Sequence, residues 1–89
     1  YKRQDMILDD IKDMMPQEAI PMLDEYIASY EDDEAYTLRG MKHWAMGERA
    51  LAIKDYLAAI RINPASKAKQ ALESANAILN YYNKDLLNP

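Results

Sequence analysis

Residues 33–66 read DEAYTLRGMKHWAMGERALAIKDYLAAIRINPAS, and this stretch decides the fold. Its second half carries the plainest helical pattern in the chain. From about Glu48 to Ile62, Ala52, Ile53, Tyr56, Ala59 and Ile60 fall on one face, while Lys54, Ala58 and Arg61 fall opposite. Asn63 suits the left-handed conformation that ends a helix, and Pro64 prevents continuation. In the first half, Asp32 or Asp33 can cap a helix running to about Met46, with Gly47 ending it.

The same periodicity extends outward in both directions. A helix from about Lys2 to Asp13 presents Ile7, Leu8 and Ile11, and one from about Pro16 to Tyr30 presents Ala19, Ile20, Leu23, Tyr26 and Ile27. Pro16 fits a first helical turn, where its missing N–H is harmless. Pro21 is expected to kink that helix or to shift its start. The last helix starts near Ser66, a good N-cap, with Ala68, Ala71, Leu72, Ala75, Ile78, Leu79 and Tyr82 as its apolar stripe. The expectation is an all-α chain of about five short helices. Such helices are marginal alone, so their apolar faces must stack.

Within 33–66, Tyr36, Gly40 and His43 precede Ala52, Tyr56, Ala59 and Pro64, with Gly47 between the two helices. These residues keep the spacing of the tetratricopeptide repeat, and the segment resembles one complete repeat of that family. The resemblance implies a right-handed superhelical stack of antiparallel helix pairs. In such a pair Gly40 and Ala52 lie where the helices cross and small side chains let the backbones approach. Tyr36 and Tyr56 act as wedges, and Pro64 stops the second helix. Arg39 and His43 depart from the family pattern, and Leu38 can supply part of the apolar contact they lack.

Residues 1–32 resemble a degenerate copy. Ala19-Ile20 and Ile27 stand 33 residues before Ala52-Ile53 and Ile60. A rival register sets Tyr26-Ile27-Ala28 30 residues before Tyr56-Leu57-Ala58. The spacing of 33 is preferred because it puts alanine at the helix crossing. Leu8 stands where the complete repeat has Gly40, and no proline closes this copy. Residues 67–89 resemble the solvating helix that caps such arrays. The chain is thus read as one domain: 1–32, 33–66 and a capping helix.

Composition limits the function classes. No cysteine is present, which removes disulfides, thiolate metal sites and a cysteine nucleophile. There is one histidine, and no Walker, Rossmann or zinc spacing occurs. Adjacent carboxylates such as Asp9 and Asp10 point about 100° apart on a helix and form no dyad. Asp9 and Asp13 share a face, but two carboxylates alone make a weak metal site. His43 stands where the family has a core aromatic, so a structural role is expected. No enzyme, cofactor or metal is expected.

The net charge of −4 is unevenly spread, with eleven acids and three bases in residues 1–36 and eight bases and four acids after them. An acidic whole argues against nucleic acid, whose affinity rests on Lys and Arg at phosphates. Glu31-Asp32-Asp33-Glu34 reads as a solvated loop that also favours the positive end of the next helix. No apolar run approaches the roughly twenty residues of a membrane span. No signal pattern is visible, and a cytoplasmic location is the default expectation. The chain opens on Tyr1 and is read as trimmed.

What remains is recognition. The resemblance implies that the first helix of each pair lines a concave face that receives a polypeptide partner. On this chain that face would hold Glu34, Thr37, Met41 and Trp44, with Gln4 and Leu8 before them and Gln70 and Ser74 after. The chaperone-binding members of the family use Lys and Asn where Thr37 and Met41 stand, so that function is not implied. The leading expectation is a protein- or peptide-binding adaptor. The alternative is self-assembly through acidic and basic ends, a homo-oligomer in which Tyr81, Tyr82, Leu86 and Leu87 add apolar area.

Overall fold

A computed structural model describes the backbone of residues 2–87 and the side chains of residues 7–78. Five helices follow one another: α1 (Lys2–Lys12), α2 (Pro16–Ser29), α3 (Asp33–Ala45), α4 (Arg49–Ile62) and α5 (Ala68–Leu87). Among the described residues there is no strand, so the fold is all-α. The side chains of Gln4, Leu79, Tyr81, Tyr82, Leu86 and Leu87 lie outside the described residues, as do Tyr1, Asn88 and Pro89.

Each junction has a local cause. Met15 is extended because it precedes a proline, and Pro16 opens α2 at its first turn. Asp32, rather than Asp33, caps α3, its carboxylate accepting the Glu34 N–H at 3.0 Å. Tyr26 donates its hydroxyl to the other Asp32 oxygen at 3.1 Å, tying the cap to α2. The acidic run is therefore divided: Asp32 is the cap, while Asp33 and Glu34 form the first turn of α3. Gly47 has φ +79°, and around it the Glu48 N–H reaches the His43 carbonyl while the Gly47 N–H reaches that of Trp44. This paired bonding closes α3 and requires the left-handed residue that glycine supplies.

One local expectation is corrected and another is narrowed. Asn63 does not adopt a left-handed conformation: it is extended, with φ −142°, because Pro64 follows it. Its side chain instead accepts the Ala65 N–H at 3.0 Å, building the turn that leads to α5. Pro21 does not shift the start of α2, which stays at Pro16. The helix runs on from Pro16 to Ser29 with Pro21 on its exposed side.

The core divides on either side of α3. Leu8, Ile11, Ala19, Leu23, Tyr26 and Ala35 form one cluster, with Leu38 packed against it. Ala52, Tyr56, Ala59, Ala68 and Ala75 form the other, with Tyr36 and Trp44 against it. Helix α3 is thus a shared wall that gives apolar residues to both sides. The buried residues Ala19, Leu23 and Tyr26 of α2 stand 33 positions before Ala52, Tyr56 and Ala59 of α4. Burial follows the register of 33, not 30.

Candidate functional site: a groove between α1, α3 and the α4–α5 turn

Turns of three residues fold α3 back on α2 and α4 back on α3, leaving the start of α3 facing α1 and the turn after α4. A groove of about 400 Å³ opens between them. Leu8, Asp9 and Lys12 of α1 form one wall, and Asn63, Ala65, Ser66 and Lys67 form the other. Asp33, Glu34, Thr37, Leu38 and Met41 of α3 run along its length.

Thr37 and Ser66 fix the floor. The Thr37 hydroxyl donates to the Asp33 carbonyl at 2.8 Å. Its oxygen lies 3.2 Å from the Ser66 oxygen, which leaves the Ser66 hydroxyl to donate to it. Ser66 in turn accepts the Ala68 N–H at 3.1 Å and so caps α5. One buried hydroxyl pair therefore joins α3 to the start of α5. Above it Met41 is 48% exposed, an adaptable apolar surface beside the carboxylates of Asp9 and Glu34.

Of the side chains expected on this face, Glu34, Thr37 and Met41 come together, with Leu8 opposite. Thr37 is buried and shapes the floor rather than offering a free hydroxyl. Trp44, Gln70 and Ser74 stand outside the groove. Trp44 is half-buried against the α4–α5 cluster with the Arg49 guanidinium 5.2 Å from its ring centre. Gln70 and Ser74 are exposed on α5. Pairing between α1 and the α4–α5 turn could not be read from helix periodicity. It depends on how the turns set successive helices side by side.

Lys42 is a further residue that sequence reasoning passed over. Its ammonium donates to the carbonyls of Lys12 and Met14, both at 2.7 Å, and clasps the end of α1 to α3. Cations suit that end of a helix, but the partner lies about thirty residues away and has no sequence signature.

Across α3 from the groove, Arg39 and His43 form a polar cluster with α4. Arg39 donates to both oxygens of Asp55, Nε at 2.9 Å and Nη2 at 2.8 Å, and its Nη1 reaches Asp24 of α2 at 2.8 Å. Hydrogen bonding to Asp55 raises the guanidinium pKa against the opposing effect of burial, so Arg39 stays charged. His43 Nδ1 lies 2.8 Å from Glu48 Oε1 and its Nε2 lies 3.9 Å from Asp55 Oδ2. The two departures from the family pattern are thus one device: residues four apart on α3 that meet a buried carboxylate on α4. The residues three and four places from Asp55, which share its helical face, are Leu51, Ala52, Ala58 and Ala59, and a carboxylate on that apolar face was the available signal.

Among the described residues no three His, Cys, Asp or Glu side chains converge so as to hold a metal ion. No helix among them is long and apolar enough to cross a membrane. Comparison with family models, with curated proteins and with solved structures finds no match to this chain.

Proposed function

We propose that this protein is a non-catalytic adaptor of the tetratricopeptide-repeat type, binding a polypeptide segment in the groove between α1, α3 and the α4–α5 turn. The observation that carries this reading is the groove itself. It is a concave surface with an exposed methionine, apolar side chains from two helices and the carboxylates of Asp9, Asp33 and Glu34 in its lining. Such a mixture suits a segment that seats an apolar side chain on Met41 and Leu38 and turns a basic one toward Asp9 and Glu34. Lys12 and Lys67 at the margins would orient acidic flanks of the same segment.

The test uses peptides selected from a random displayed library by binding to the whole chain. Met41→Glu and Glu34→Lys, checked by circular dichroism for retained fold, are each expected to weaken the selected peptides by about tenfold or more. Equal binding by both variants would place recognition elsewhere on the molecule.

A further inference from the structure

The outer face of α4 serves neither core nor groove. Lys54, Leu57 and Arg61 lie on one stripe of that helix, roughly opposite the buried Ala52, Tyr56 and Ala59. All three are exposed, Leu57 by 53%, and among the described residues neither cation has an acidic partner. Beside them a recess of about 550 Å³ is lined by Tyr36, Ile53 and Ala58.

Helix α2 carries the inverse pattern. Glu18, Met22 and Glu25 share a stripe and are all exposed, Met22 by 44%. Among the described residues neither carboxylate has a cationic partner. From Glu18 the steps to Met22 and Glu25 are four and three residues, and from Arg61 back to Leu57 and Lys54 they are again four and three. At the helical rise, each stripe spans about 10.5 Å. Laid antiparallel, Glu18 meets Arg61, Met22 meets Leu57 and Glu25 meets Lys54. Within one molecule this match is out of reach. Helices α2 and α4 run the same way, each folded back against α3 between them, so the partner must be another copy.

We propose that the protein associates with itself by seating the α2 stripe of one copy antiparallel on the α4 stripe of a second. The two end pairs set polarity and register, and the thioether of Met22 fills the recess beside Leu57. None of these six residues lines the groove, so this contact and peptide binding stand or fall separately.

Sedimentation of the whole chain at low and high salt tests the contact. The weight-average mass of the unaltered chain is expected to rise with concentration and to fall with added salt. Lys54→Glu with Arg61→Glu should weaken association by about tenfold or more, and so should Glu18→Lys with Glu25→Lys. The second pair brings the net charge of −4 to zero, so weaker association there cannot come from greater overall repulsion. Combining all four substitutions should restore association to within about threefold of the unaltered chain. A chain that stays monomeric up to about a millimolar would overturn the proposal. So would either pair variant that associates as tightly as the original, or a fourfold exchange that fails to restore it.

Discussion

The ring of Tyr56 occupies the space that a side chain on Gly40 would need. A β-carbon built on Gly40 would stand 2.6 Å from Tyr56 Cε1 and 3.1 Å from the Ala52 carbonyl oxygen. The α3–α4 crossing is therefore as close as it is because one partner has no side chain and the other presents an aromatic edge. Gly40→Ala is expected to destabilise the fold by about 1–3 kcal/mol, read as a lower urea midpoint. In a Tyr56→Leu background the same substitution should cost less, since the ring it strikes is gone. Additive effects in the double variant would show that the clash is not the cause.

The two carboxylates that hold Arg39 should contribute unequally. The Asp55 side chain is 6% exposed and takes two hydrogen bonds, whereas that of Asp24 is 57% exposed and takes one. Removing the buried partner leaves a largely buried guanidinium short of its main acceptor. Asp55→Ala is expected to cost about 3 kcal/mol. Asp24→Ala should cost less than about 1 kcal/mol, because its charge is largely screened by water. Similar losses from both would mean that burial does not set the strength of this network.

Lys42 is expected to act locally. Lys42→Met keeps the aliphatic stem but removes both donors to the carbonyls of Lys12 and Met14. Global stability should fall by only about 1 kcal/mol, since the ammonium remains partly hydrated. Amide exchange at the end of α1 should quicken more than exchange in α4. Uniform acceleration across all helices would argue against a local clasp.

Alkaline pH should loosen the α3–α4 contact through Tyr56. Burial raises this phenol above its ordinary value of 10.0, and the neighbouring Asp55 charge raises it further. The folded chain therefore keeps the proton in a range where the unfolded chain has released it. The corresponding stability is complete below about pH 10 and is lost as pH rises above it. Tyr56→Phe should flatten part of the decline in melting temperature above about pH 10. An identical decline in both proteins would assign the effect to other groups.

Helix placement was legible because each boundary is local chemistry. Pro16, Gly47 and Ser66 act on their own turns, and apolar spacing of three and four marks the faces of the helices between them. The close contact of Gly40 with α4 was legible through the repeat resemblance, which puts a small residue where the two helices cross. Asn63 was misjudged because its side chain permits a left-handed turn while the following proline forbids it, and the backbone restriction prevails.

The sequence by itself determined an all-helical chain, its turns and the alternation of small and large residues along α4. Those properties depend on backbone preference and helical periodicity, which act over a few residues. Only the tertiary structure decided that Lys42 would clasp α1, that Arg39 would span Asp24 and Asp55, and that Thr37 and Ser66 would meet beneath a groove. These contacts join residues 15 to 30 positions apart. They form only when packed helices bring polar groups from distant parts of the chain within hydrogen-bonding reach of one another.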